Sequence, residues 1–334
     1  MEFTPQAILF DRPGPPADVL RLSDHRPADP RPGQVSVRMT ASPINPSDEM
    51  FIRGTYGTRP VLPQVPGFEG TGYVVSSGGG LRGRLFTGKR VAVLNAAGGN
   101  WAHETVVPAS SVIPLSARLS DEQAATFFVN PTTAYLLTQH VLKISRGDWL
   151  VQTAAASSLG QMVIRLGQRL GFRTLNIVRS ERHTDTLRKL GGDAVVVFDA
   201  DQNAPEELTT AIAAEVGGDG VSYAIDPVGG PTGSALIHSL ARGGRLITFG
   251  TLSDQPLQFS GRELMTRQAS VEGFWLGHFM ASRSLPFKLK LIKRITRLVL
   301  DGTLATDIAR TVSLAEVPGA FAEPLPGRTL IRMT

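Results

Sequence analysis

The 334-residue chain contains no cysteine. That one absence excludes disulfides, thiolate zinc sites and a cysteine nucleophile together, and it leaves the redox compartment open. No stretch reaches the ~18 unbroken apolar residues of a membrane-spanning helix. The first ten residues, Met1 to Phe10, lack both a basic leader and a long apolar run, so the expectation is a cytoplasmic protein, or a mature chain whose targeting segment is missing. The net charge of +5 comes from arginines scattered along the chain. With no basic block, a nucleic-acid stripe is not indicated, and anionic small molecules remain as partners. What is present is an ordinary globular composition, 42% hydrophobic and 19% charged, on a chain long enough for two domains.

Texture divides the chain. Up to about residue 120, proline and glycine punctuate short alternating runs such as Val35-Ser36-Val37-Arg38-Met39 and Arg90-Val91-Ala92-Val93-Leu94, the pattern of a β-dominated domain. Ser120-Asp121-Glu122-Gln123 then reads as a capping box before a helix. Apolar strands follow at 150–153, 174–178, 194–198, 221–225 and 245–249, with helical segments between them. Five strands joined by crossovers predict an α/β, doubly wound parallel sheet over 121–265. Residues 266–334 return to a mixed texture. Apolar residues at 291, 292, 295, 298 and 299 predict an amphipathic helix whose other face is strongly basic. That face is either a solvated outer surface or a contact for the phosphates of a coenzyme A or for an acidic carrier protein.

The most informative segment is Thr153-Ala154-Ala155-Ala156-Ser157-Ser158-Leu159-Gly160, where a strand breaks into small residues before a helix. Only Gly160 survives of the G-x-G-x-x-G pattern. Small side chains nonetheless let backbone amides approach a pyrophosphate at a positive helix N-terminus, with Ser157 and Ser158 as further donors. Arg179 then stands 19 residues past Gly160, where such folds place the acidic residue that grips the ribose of NAD. A guanidinium there pairs with a 2′-phosphate through two charge-assisted bonds, which points to NADPH. The duller readings are an ordinary strand–helix turn and a solvated arginine. Similarly, Trp101-Ala102-His103-Glu104 invites an acid–base role but reads as the alternating faces of a strand.

Over nearly its whole length the chain resembles the medium-chain dehydrogenase/reductase superfamily, and within it the 2-enoyl thioester reductases. The resemblance is carried by Asn45-Pro46-Ser47-Asp48, Arg53-Gly54-Thr55-Tyr56-Gly57, Val129-Asn130-Pro131-Thr132-Thr133-Ala134-Tyr135, the Ser157 to Gln161 turn, Asn176-Ile177-Val178-Arg179, Val228-Gly229-Gly230 and Gly273-Phe274-Trp275-Leu276. It implies a Rossmann domain over 121–265 and a GroES-like domain formed by 1–120 and 266–334. It further implies Tyr56 as proton donor, with Asn130, Ser157, Ser158, Leu159, Gly160, Arg179 and Ser180 lining NADPH. Phe249, Gly250, Thr251, Leu252, Phe274, Trp275 and Leu276 would border the nicotinamide and substrate cleft, and Arg328 would lie near the phosphate end. Phe68 and Glu181 depart from the family pattern, which more often has a polar and a basic residue there; Arg182 is a substitute for the latter.

The implied activity is zinc-independent reduction of a trans-2-enoyl thioester on coenzyme A or a carrier protein, as in fatty-acid metabolism, by a homodimer. Taken without the resemblance, Tyr56 is a surface aromatic and Trp275 a packing residue. A quinone or enone reductase of the same superfamily needs no positioned acid, and a catalytically silent NADPH-binding protein needs none of this chemistry. Neither nucleic acid nor membrane is an expected partner.

Overall fold

The alternating runs of the first third become strands in the computed structural model, which describes residues 4–217 and 220–333. β1 (Gln6–Leu9) and β2 (Arg21–Asp24) form an antiparallel pair. β3 (Gln34–Pro43), β4 (Glu69–Ser77), β5 (Arg90–Leu94), β6 (Glu104–Pro108) and β7 (Val112–Pro114) build a larger antiparallel sheet. Val35, Val37 and Met39 of β3 point into the core with Val91 and Val93 of β5, around the buried rings of Phe10, Phe51 and Trp101. Each fully buried aliphatic or aromatic side chain contributes roughly 1.5–3 kcal/mol relative to exposure. Between β3 and β4 the helix Pro46–Arg53 starts at Asn45 with proline in its first turn and stops at Gly54, whose φ of 77° is the left-handed cap glycine favours.

The apolar runs after residue 148 form a six-stranded sheet. β8 (Trp149–Gln152), β9 (Arg173–Val178), β10 (Ala194–Val197), β11 (Val221–Asp226), β12 (Leu240–Thr248) and β13 (Ser270–Gly273) lie in the order β10-β9-β8-β11-β12-β13, every pair parallel. Where helices cover both faces, consecutive strand residues are buried and do not alternate, as in β8 and β9. Thus Val151, Leu175, Ile177, Ala224 and Leu246 are all buried. On the helix Ser158–Leu170, Met162, Val163, Ile164 and Leu166 are buried. The order reverses between β8 and β11, and the crevice at the carboxyl ends of those two strands is the topological switch point where such sheets bind ligands.

Two boundaries differ from the sequence expectation. β12 begins five residues before Arg245, because the Gly243-Gly244 pair that reads as a turn is absorbed by a register shift against β11. A sixth strand, β13, pairs in parallel with β12 beyond residue 265. The two compact units are accordingly Met1–Val129 with Thr306–Thr334, and Asn130–Ala305; residues 266–305 belong with the parallel sheet. After them β14 (Arg310–Ser313) and β15 (Thr329–Arg332) return to the first unit, completing the order β14-β15-β3-β4-β5-β7, with β6 also on β3.

The Ser120 box forms, Ser120 Oγ accepting from Gln123 N at 3.2 Å and Gln123 Oε1 from Ser120 N at 3.0 Å. The basic amphipathic segment is a helix, Leu285–Leu300, which buries Leu291, Ile295, Leu298 and Val299. One strand reading is corrected. Trp101 to His103 precede β6, and His103 Nδ1 accepts from Gln6 N at 2.9 Å, a bond that sequence distance hides. Of the N-terminal residues read for a leader, Met1 to Phe3 lie outside the described residues. Among the described residues no helix is long and apolar enough to cross a membrane.

Candidate active site

In the second unit the small-residue turn opens at Thr153, directly after β8. Ala154 takes a left-handed φ of 49°, and Ser157 caps the Ser158–Leu170 helix, its Oγ accepting from Gly160 N at 3.2 Å. A Cβ on Gly160 would lie 2.4 Å from Ala155 O and 2.7 Å from Ala155 Cα. Only glycine permits this approach of helix to turn, the role of the third glycine in a dinucleotide fingerprint. The helix is held to the sheet by Gln152, whose Nε2 donates to Gly160 O at 3.0 Å and to Asn176 Oδ1 at 2.7 Å. Asn176 Nδ2 in turn donates to Ala194 O at 2.9 Å, so a buried amide relay crosses β8, β9 and β10. Compact side chains, two serines and a helix N-terminus fit a dinucleotide pyrophosphate.

A parallel sheet puts all its strand C-termini on one edge, which gathers most of the nominated residues. Arg179 follows β9 and is exposed; Ser180 precedes the short turn Glu181–His183. Arg182 is turned to its neighbour, its Nε donating to His183 Nε2 at 2.9 Å. Phe249, Gly250, Thr251 and Leu252 follow β12, anchored by Phe249 N to Asp226 O at 3.0 Å and Leu252 N to Pro227 O at 3.0 Å. Phe274, Trp275 and Leu276 follow β13, Phe274 N donating to Thr248 O at 2.8 Å. Trp275 is 40% exposed. Asn130 opens the second unit on the helix Val129–Leu136.

Sequence reasoning missed Asp226. It is fully buried at the end of β11. Thr153 Oγ1 donates to Oδ1, which also accepts from Val228 N at 2.9 Å, while Oδ2 accepts from Gly229 N at 2.9 Å. Burial pushes its pKa up, against those hydrogen bonds. It therefore clasps the two loops that border the switch point. The only signal was a carboxylate at a strand's end before Pro227 and a glycine pair.

Tyr56 and Arg328 belong to the first unit. Tyr56 sits two residues past the helix cap, half-buried, its N–H donating to Met50 O at 3.2 Å and its ring 5.1 Å from that of Phe68. Burial first, then the nearby Asp48 carboxylate, pushes its pKa up to about 12. Asp48, fully buried, ties the start of its helix to Phe68: Oδ2 accepts from Asn45 N at 2.8 Å and Oδ1 from Phe68 N at 3.0 Å. Its own pKa rises to about 7, chiefly through burial. Phe68, the departure from the family pattern, is thus a ring packed between Phe51 and Tyr56.

Arg328 is held by polar groups of its own unit. Its guanidinium donates to Ile44 O at 2.8 Å and to Asn45 Oδ1, with the charges of Glu69 and Asp48 beside it. Ile44 and Asn45 lie 284 and 283 residues away in the chain.

Glu69, 2% exposed, directs Oε1 to Phe128 N at 2.7 Å and Val129 N at 2.8 Å. Burial raises its pKa from 4.5 to about 6 despite those bonds. A carboxyl whose folded-state pKa lies above its unfolded value stabilises fully at low pH and loses that contribution as pH rises through the folded value. Glu69→Gln keeps the accepting oxygen and cannot ionise. Its stability relative to wild type is expected to rise by about 2 kcal/mol between pH 4 and pH 7.5, read by thermal unfolding; a constant difference across that window contradicts the assignment.

Comparison with known proteins places these observations. Residues 31–117 match the family model of the alcohol dehydrogenase GroES-like domain and residues 158–294 that of zinc-binding dehydrogenases. The zinc donor set does not accompany the match: the chain has no cysteine, and among the described residues no group of three His, Asp or Glu side chains is arranged to hold a metal ion. The human mitochondrial enoyl-[acyl-carrier-protein] reductase is 33% identical over 322 residues, covering 95% of this chain and 84% of the relative. A crystal structure from Bacillus thuringiensis, provisionally named an NADPH:quinone reductase, superimposes with a TM-score of 0.89 at 30% identity, covering 100% of both chains. The complex of Etr1p with NADP and crotonyl-CoA gives 0.83 at 25% identity, over 99% of this chain and 100% of that one. The human relative is mitochondrial, which overturns the expectation of a cytoplasmic protein. Matched along both units by sequence and by fold, the chain belongs to the medium-chain dehydrogenase/reductase superfamily and, within it, to the 2-enoyl thioester reductase family.

Proposed function

We propose that this protein uses NADPH to reduce the C2–C3 double bond of a trans-2-enoyl thioester. The observation that carries the reading is Tyr56: a half-buried phenol packed on Phe68, whose N–H Asp48 holds, and protonated throughout the neutral range. Bound NADPH supplies a hydride to the β-carbon. The residues of the chain do the rest. Ser157, Ser158, Leu159 and Gly160 receive the pyrophosphate, Arg179 and Ser180 the 2′-phosphate, and Asn130, Phe249 to Leu252 and Phe274 to Leu276 border the reactive ring. As negative charge develops on the thioester oxygen, Tyr56 gives its proton to the α-carbon, a far stronger base than the phenolate left behind. Backbone amides stabilise the oxygen meanwhile. In this reading the first unit is the catalytic and substrate domain and the second binds the cofactor.

The test is direct. Protein, NADPH and crotonyl-CoA are mixed, and absorbance of the reduced nicotinamide is followed beside a simple quinone; sustained turnover of the thioester is expected, and turnover of quinone alone, or of neither, refutes the reading. Quinone reduction is the second reading, favoured by the likeness to the Bacillus thuringiensis structure. β13 forms an outer edge of its sheet, which supports a homodimer built by joining two such edges. Light scattering that returned a monomer mass would contradict that assembly.

A further inference from the structure

The basic helix Leu285–Leu300 walls one side of a groove of about 580 Å³ that lies wholly within the second unit. Its floor is aromatic. The rings of Tyr135 and His140 stand 5.6 Å apart, and that of Phe287 meets His140 edge-on at 5.3 Å. Its rim is cationic, formed by Lys290, Lys293, Arg294 and Arg297, with Arg294 lying 5.9 Å from the Tyr135 ring centre. Among the described residues no acidic side chain lines the groove, and the helix itself carries none. Burial and the neighbouring Arg283, Lys143 and Lys290 hold His140 below the usual imidazole range, so at neutral pH its ring is an uncharged wall.

Three properties define the ligand. The volume is that of a small-molecule site. Aromatic faces stack a planar base without selecting among bases. Four cations with no acid beside them among the described lining residues call for more than one phosphate. We propose that this groove holds the adenosine 3′,5′-bisphosphate end of coenzyme A, and so recognises the carrier end of the substrate. The inference rests on the enoyl thioester reading above.

The experiment uses the whole protein saturated with NADPH, so that the cofactor site cannot take the probe. Free adenosine 3′,5′-bisphosphate is titrated calorimetrically into wild type and into Lys290→Glu/Arg294→Glu, two side chains outside the proposed catalytic set. Binding to wild type, at least tenfold weaker in the variant with NADPH affinity unchanged, is expected. In turnover the variant's KM for crotonyl-CoA should rise at least tenfold at unchanged kcat, the signature of lost uniform binding. Crotonyl-N-acetylcysteamine, a thioester without the nucleotide, should react equally with both proteins. Equal affinity in the titration overturns the proposal, as does a KM that rises only for a carrier-protein thioester, which would make the face a protein dock. Wild type that binds the probe but reduces no thioester would count against the activity and leave the groove established.

Discussion

Tyr56→Phe is expected to lower kcat for crotonyl-CoA by about 10²–10³-fold, within the range that a positioned general acid supplies, and to leave KM within about twofold. The substitution removes one oxygen and keeps the ring. Packing on Phe68 at 5.1 Å and the backbone bond to Met50 persist, so a fall in rate reports the proton and not the loop. Quinone reduction by the same variant should be unchanged, because a quinone accepts hydride without a carbon acid placed beside it. Stopped-flow or steady-state rates on both substrates decide the matter. A loss smaller than tenfold on the thioester would remove Tyr56 from the mechanism. Its high pKa sharpens the expectation further: rate should not fall through loss of the phenolic proton anywhere between pH 6 and pH 10, since the group titrates near 12.

Arg179→Ala should weaken NADPH by about 10- to 100-fold while NADH changes by less than about twofold, as expected when hydrogen bonds to a charged group, worth about 1.5–3 kcal/mol, are lost. Arg179 is exposed and follows its strand, so its removal costs little stability and the loss of affinity can be read directly from fluorescence titration. Arg179→Lys should fall between, because an ammonium restores charge without the planar fork that meets two phosphate oxygens. Wild type that binds NADPH and NADH equally would refute the assignment. The turn of Arg182 toward His183 makes Arg179 the principal candidate at this edge.

Much of this architecture is legible in the chain itself. Apolar runs flanked by helical spacing announce a buried parallel sheet, since strands covered on both faces have no polar side to alternate. The turn from Thr153 to Gly160 is recognisable without its usual glycines because three alanines meet the same steric demand, and the one glycine that cannot be replaced is the one still present. β13 escaped because Ser-Val-Glu-Gly is three half-buried residues and one exposed, with no pattern of their own; it is a strand only because β12 offers an edge.

The buried carboxylates escaped for a different reason. Asp48, Glu69 and Asp226 look like surface acids in sequence, yet each ends in the interior beneath two or more backbone N–H groups. The sequence by itself determined the period and burial of the strands, the small-residue turn and the cation after β9, since those depend on neighbours within a few residues. Only the tertiary structure decided which acids are buried and what surrounds Arg328, because a charge can leave water only where other polar groups or an opposite charge replace its hydration, and some of those groups come from far along the chain. Such partners, Thr153 for Asp226 or Asn45 for Arg328, lie 73 and 283 residues away.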